Sequence, residues 1–338
     1  MNQEATQPAW KGMINWLPGV LFSLLAIFIL SRIVSWQQLV HALQSVDLRV
    51  MVPALVFFML GLFTRALAWQ TILQRKVPYW KTFFALNEGY LLNNIFPLRL
   101  GELGRAVLLG RSSGLGTLPV LSSIVVERSF DLAISACLLL ITLPMALNMS
   151  WARPLAWGIL LLVAAALFVL ALGARYRERI TAYAVNRGAD RTKIGHWLLP
   201  KTESLLSGFA ALTDIRLFAA SFGLLSLSWV FAVTEDWFLV RGFVPNAPFW
   251  WGAFIIGAAA LGGAIPSSSG AVGVLEAAVV SALVVLGMNQ SVALAYGIVM
   301  HMIQLAISST LGMIGLARDG ESLAGIYNEL RMRRSSST

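Results

Sequence analysis

The sequence predicts an all-α polytopic membrane protein in which six full spans and two re-entrant helical hairpins form an inverted-topology repeat. Three observations lead there. Of the 338 residues, 58% are hydrophobic and 12% charged, with a mean hydropathy of +0.75, whereas a soluble domain carries roughly 25% charged residues. Six apolar stretches are long enough to cross a hydrocarbon core that needs ~20 residues of helix. Two shorter apolar regions are cut by the same spelling, Pro97-x3-Gly101-x2-Gly104 and Pro266-x3-Gly270-x2-Gly273.

The full spans are expected at about 17–34, 50–73, 118–143, 155–173, 217–240 and 291–316. Lys11 precedes the first of them, and Ser31-Arg32 ends it without a small-residue cleavage site. That is the pattern of a retained span and not of a removable signal peptide. The broken regions are 82–111, between the second and third spans, and 249–287, between the fifth and sixth. Their apolar pieces, such as 83–96 and 272–286, are too short to cross comfortably.

Charge decides whether those pieces cross. The linker 174–216 carries eight Lys/Arg (Arg175, Arg177, Arg179, Arg187, Arg191, Lys193, Lys201 and Arg216) against four Asp/Glu, which makes it cytoplasmic by the positive-inside rule. Arg331, Arg333 and Arg334 put the tail 317–338 on the same side, and Arg75, Lys76 and Lys81 do the same for the loop after the second span. Two full spans join the first broken region to the linker, and two more join the linker to the tail with the second broken region between them, so each region enters and returns on one face. The expected organisation is one transmembrane domain over residues 1–338, with one repeat at about 17–148 and an inverted one at about 155–316. Both termini are then cytoplasmic, and the membrane is the cytoplasmic one. The same spelling also fits unrelated hairpins that share only Pro and Gly.

The net charge of +9 and pI of about 10.2 would suggest nucleic acid in a soluble protein; here they accord with basic cytoplasmic loops, and no nucleic-acid partner is expected. Cys137 is the only cysteine, which excludes an internal disulfide and a cysteine-based zinc or iron–sulfur site. Neither a metal nor a cofactor is expected. Residues 205–217 read either as an interfacial helix or as a solvated connector. Small residues four apart, Ala253-Gly257-Leu261 and Ala258-Gly262-Pro266, suggest close helix contact. Trp16, Trp36, Trp80, Trp151, Trp197, Trp250 and Trp251 fall at expected span ends as an interfacial belt.

Seven of the sixteen acids lie within expected membrane regions: Glu88, Glu102, Glu127, Asp131, Glu235, Asp236 and Glu276. Arg65, Arg99, Arg105 and Arg128 accompany them. A charge at a helix centre costs ~2.5–3.5 kcal/mol even on the lenient insertion scale, so these groups must pair or face water. Around the first break, Asn93, Asn94, Arg99, Glu102 and Arg105 cluster, and Glu102 and Arg105 share a helix face. On the next span Glu127, Arg128 and Asp131 repeat the idea. These residues fit both a structural ion-pair network and direct contact with a substrate. The second break, with Ser267, Ser268, Ser269, Gly270, Gly273 and Glu276, carries no cation; its hydroxyls and the start of a half-helix suit an anion, or make a simple serine turn. Glu235-Asp236 fits a proton or cation site, or a pairing with Arg241 at the interface. His301 reads more readily as a packing histidine than as a ligand. Broken helices in two corresponding places are the mark of a transport site near the bilayer midplane.

Three motifs in order, Asn94-x2-Pro97-x-Arg99-x-Gly101-Glu102-x2-Arg105, Glu127-Arg128-x2-Asp131 and Pro266-x3-Gly270-x2-Gly273-x2-Glu276, resemble the transmembrane flippase domain of the lysylphosphatidylglycerol synthase/flippase family. The resemblance runs from about Leu17 to Leu316. It implies movement of lipids with polar headgroups between leaflets, the expected partner being a membrane phospholipid or other lipid-linked substrate. It does not imply lipid synthesis, since the chain ends at Thr338 without a soluble aminoacyl-transferase domain, and no enzyme activity is expected. In that reading Arg99 and Arg105 contact the lipid phosphate, Asn93 and Asn94 add amide donors, and Glu102, Glu127 and Asp131 orient the arginines or meet a cationic headgroup. Without a G-x4-G-K-[ST] motif, ATP hydrolysis is not the driving force. The rival classes are an ion-coupled transporter of a small anionic solute and a membrane-embedded lipid-linked glycosyltransferase. A homo-oligomer is compatible with all three.

Overall fold

The computed structural model describes residues 35–44, 46–96, 100–147, 214–264 and 267–321, with scattered positions between 24 and 32 and between 154 and 183. Pro97, Arg99 and Pro266 lie outside the described residues. So do most of the linker 174–216 (including 205–213), Lys11, Arg331, Arg333 and Arg334 of the tail, and Trp16, Trp151 and Trp197. The expected spans 17–34 and 155–173 are described only at scattered positions, all of them helical.

Every regular element among the described residues is a helix: α1 (Trp36–Gln44), α2 (Met51–Ile72), α3 (Tyr79–Ile95), α4 (Leu100–Ser113), α5 (Thr117–Leu147), α6 (Ile215–Arg241), α7 (Trp250–Ala264), α8 (Val274–Val285) and α9 (Gln290–Asp319). Local chemistry sets several of the boundaries. A single 3₁₀ turn at Leu48–Val50 leads into α2, and the Asp47 carboxylate caps that turn by accepting from the Arg49 amide at 2.9 Å. Pro53 sits in the first turn of α2, where no amide is needed for the helix ladder. The chain leaves α2 through Gln74 and Arg75, both at φ of 56°, and Pro78 precedes α3. Asp214 caps α6 through the Arg216 and Leu217 amides, and Asn289 caps α9 through the Ser291 amide.

Helices α2, α6 and α9 are long and apolar enough to cross a membrane. Their outward faces carry exposed Val52, Val56, Leu227, Val230, Met313 and Ile314, side chains suited to a lipid solvent. The protein is therefore an α-helical protein integral to a membrane. Helix α5 has 31 residues and holds Glu127, Arg128 and Asp131 in its first half. By contrast α3, α4, α7 and α8 have 17, 14, 15 and 12 residues. At 1.5 Å per residue they reach only about 18–26 Å, less than a ~30 Å hydrocarbon core.

The helices pack in matched pairs. Helix α3 lies against α4, and α7 against α8; α4 lies against α5, and α8 against α9; α3 lies against α9, and α7 against α5; α2 and α6 make the most extensive contact. Exchanging α2, α3, α4 and α5 with α6, α7, α8 and α9 reproduces these pairings. Close approach depends on glycine. A Cβ on Gly101 would lie 2.0 Å from the Gly89 carbonyl oxygen, one on Gly252 2.3 Å from that of Val233, and one on Gly312 2.6 Å from that of Asn87. The two small-residue stripes of α7 serve different neighbours: Gly257 faces Leu139 of α5, and Gly262 faces Ala278 of α8.

The matching spelling of the two breaks conceals different physics. Gly101 and Gly104 are inside α4 and buried against α3, Gly104 meeting the Leu92 side chain. Gly270 and Gly273 instead have φ of 67° and 86°, where a Cβ is penalised.

Because the obstacle at Gly101 is backbone and not a movable side chain, Gly101→Ala is expected to destabilise the folded protein by about 1–3 kcal/mol or more. Gly223→Ala, whose Cβ would meet nothing within 4 Å, should be neutral or slightly stabilising. Thermal unfolding of the purified variants in detergent checks both.

Candidate functional site

Residues on either side of both breaks line a single cavity of about 540 Å³. At the first, α3 ends at Ile95, and Asn93 reaches over the interruption to accept the Gly101 amide through its Oδ1 at 2.8 Å. Asn94 donates through Nδ2 to the hydroxyls of Ser308 and Ser309 on α9, at 3.1 and 3.0 Å. At the second, a 3₁₀ turn over Ser269–Ala271 precedes α8. Glu276 caps the start of α8 from its first turn, its Oε2 accepting the Gly273 amide at 2.7 Å. Its other oxygen, Oε1, lies 2.6 Å from Nδ1 of His301. The turn before α8 approaches the end of α3: a Cβ built on Gly270 would lie 3.7 Å from the Asn94 carbonyl oxygen.

A compact ion network forms one wall. Arg65 of α2 grips Asp131 with both terminal nitrogens, at 2.8 Å each, and reaches Glu127 at 3.1 Å. Arg128 lies 3.2 Å from Glu127, 3.1 Å from Asp131 and 3.4 Å from Glu102. Arg105 of α4 donates to the second oxygen of Glu127 at 2.8 Å. Trp229 of α6 adds an indole N–H to Asp131 at 2.8 Å. Three guanidinium groups thus meet three carboxylates, and the net charge of the network is zero. Bidentate geometry and full pairing are what make buried charges tolerable.

Glu102 and Arg105 share a helix and both pair across to α5, Glu102 with Arg128 and Arg105 with Glu127. One sequence expectation is corrected: Arg105 does not reach the cavity. Its side chain is 1% exposed, its stem runs past Gly89, and its guanidinium sits 4.6 Å from the Trp69 ring centroid. Trp69 is itself held by its indole N–H to the Ser123 hydroxyl. A cation stacked on tryptophan and paired behind the wall braces it from outside the cavity.

Of the expected site residues, Asn93, Asn94, Glu102, Arg128, Asp131, Ser267, Ser268 and Gly270 line the cavity. Glu127, Ser269, Gly273 and Glu276 do not, and Glu127 is completely buried. Arg65, Tyr90, Trp229, Glu235, His301, Gln304 and Ser308 line it as well. Their signal in the sequence is partial. His301, Gln304 and Ser308 stand three and four apart, one polar face of an otherwise apolar helix. Arg65 is visible only as a membrane arginine, because its partners are 62 and 66 residues away.

The expected pairing of Glu235-Asp236 with Arg241 does not form. The Tyr296 hydroxyl donates to Asp236. Arg241 stacks 5.0 Å from the Trp237 ring and donates to the Pro245 carbonyl. No group of three or more His, Cys, Asp or Glu among the described residues is arranged to hold a metal ion.

A family model described as the lysylphosphatidylglycerol synthase TM region matches residues 16–312. Among curated proteins, none matches the chain.

Removing one partner of a fully buried pair strands the other. Glu127→Leu is expected to cost about 3–5 kcal/mol, while the double variant Glu127→Leu/Arg105→Met should cost clearly less than the sum of its single changes. A double-mutant cycle on thermal stability measures the difference.

Proposed function

The chain belongs to the lysylphosphatidylglycerol synthase TM region family, and we propose that it is a translocase moving a phosphate-bearing polar-headgroup lipid between the leaflets of the cytoplasmic membrane, without covalent chemistry. One observation carries this reading: both interrupted hairpins line one cavity that presents paired arginines, amides and hydroxyls inside an otherwise apolar helix bundle. Polar backbone and charge at membrane depth are tolerated where they line a wet path.

Helices α3–α4 and α7–α8 are read as two re-entrant hairpins, and the chain as six full spans in an inverted repeat with cytoplasmic termini. The short lengths of those four helices support it, as do the matched helix pairings and the basic composition of 174–216. The two repeats would rock about the shared cavity to expose it alternately.

The lipid phosphate meets Arg128, whose side chain is 31% exposed, and Arg65, at 16%. Both are already oriented by Asp131, so little side-chain freedom remains to be lost on binding. Charge-assisted N–H donors to a phosphate are the strong kind. Asn94, clamped by Ser308 and Ser309, and the hydroxyls of Ser267 and Ser268 add neutral polar groups around the rest of the headgroup. The acyl tails stay in lipid. Arg105, Glu127 and Trp69 hold the wall in place from behind.

In proteoliposomes carrying headgroup-labelled phospholipids and a leaflet-selective quencher, the wild-type protein should speed lipid transfer. Arg128→Ala should slow it by at least about tenfold, the loss of one charge-assisted contact worth ~1.5–3 kcal/mol. Equal rates for wild type and variant would remove the cavity from the transport path. For topology, with Cys137 replaced, cysteines introduced at Lys81 and Phe249 should react with impermeant reagents from opposite sides of the membrane; labelling from one side would refute the inverted repeat.

A further inference from the structure

Glu235 is the one carboxyl-bearing side chain lining the cavity that has neither a hydrogen bond nor an ion pair among the described residues. It is only 5% exposed. Its neighbour Asp236 is 1% exposed and engaged by the Tyr296 hydroxyl. Two adjacent acids on α6 therefore differ in kind: one is tied into the α6–α9 interface, and the other faces the cavity without a cation.

The charged and titratable groups that share the cavity with Glu235, from the helices packed on α6, are Arg65 on α2, Arg128 and Asp131 on α5, and His301 on α9. Helix α7 has no titratable residue. Both arginines are already neutralised by Asp131 and Glu127, and His301 is taken up by Glu276. An ionised carboxylate in so enclosed a place is expensive unless a cation joins it. A metal cation would require several more oxygen ligands, and no acidic cluster of the needed size exists among the described residues. A proton requires only the carboxylate.

We infer that Glu235 is a proton-binding site that couples proton movement to the translocation cycle, an inference that rests on the translocase reading above. The Glu235 carboxylate takes up one proton while the cavity faces the side of higher proton concentration, which forms the neutral acid. It releases that proton after the cavity has turned to the other side, which restores the carboxylate. No bond other than O–H is made or broken. Coupling runs along α6: Ser228, Trp229, Ala232 and Glu235 all line the cavity. Trp229, which donates to Asp131 in the arginine network, is about 9 Å along the axis from Glu235. The charge on Glu235 thereby acts on the same wall that receives the phosphate.

The test uses the full-length protein in phosphatidylethanolamine–phosphatidylglycerol vesicles with a trace of fluorescent phosphatidylglycerol, read with a leaflet-selective quencher. Under a one-unit pH gradient, wild type should displace the final leaflet distribution from its gradient-free value by up to about tenfold, the bias of one proton per cycle. In Glu235→Gln that displacement should vanish, and in Glu235→Asp part of it should remain. A wild type that transfers the probe but ends at the same distribution with and without the gradient overturns the coupling and leaves the translocase intact. A gradient response that survives in Glu235→Gln overturns the assignment to Glu235. A wild type that moves no probe in any condition counts against the translocase reading instead. The proton site is then decided by infrared titration of the detergent-solubilised protein, in which the band of protonated carboxyl groups should be weaker in Glu235→Gln than in wild type; identical spectra would overturn it. Glu235→Asp gives a second comparison should Glu235→Gln melt at a lower temperature.

Discussion

The architecture depends on the burial of Glu127. This carboxylate has no exposure to solvent, yet three arginines converge on it from α2, α4 and α5. Burying so much charge in a membrane protein is feasible only as a closed set, with every acid facing a base at short range. The set ties the first hairpin to the spans on either side of it, and through Trp229 and Asp131 to the second half of the chain.

The two halves use their polar groups differently. In the first, cations and acids cancel in a dense network at the cavity edge. In the second, the break holds no arginine. Glu276 is turned back onto the Gly273 amide and His301, and Asp236 onto Tyr296. The matched helix pairings therefore enclose a chemically asymmetric cavity, with arginines paired to acids on one side and no cation in the turn before α8 on the other.

Glycine illustrates how a sequence motif can mislead. Pro-x3-Gly-x2-Gly occurs twice, yet Gly101 lets α4 approach the backbone of α3 whereas Gly270 and Gly273 let the chain turn through left-handed conformations. The equivalence that does hold is coarser. Each half contains a short helix, a break, a second short helix with an acid in its first turn (Glu102 or Glu276), and then a long helix.

Much of the fold was legible in the chain itself. Apolar length marked α2, α5, α6 and α9 to within a few residues, since a helix in lipid must be long and apolar and little else satisfies its backbone. The cost of isolated charge in a membrane likewise marked Glu102, Glu127, Arg128 and Asp131 as members of one polar interior. Partnership was another matter. That Arg105 stacks on Trp69 behind the wall while Arg65 takes its place at the cavity, and that Asp236 belongs to Tyr296 while Glu235 has no partner among the described residues, depends on helix rotation and on contacts between residues 36 to 66 positions apart. Periodicity specifies which residues share a helix face; only packing decides which neighbour that face meets.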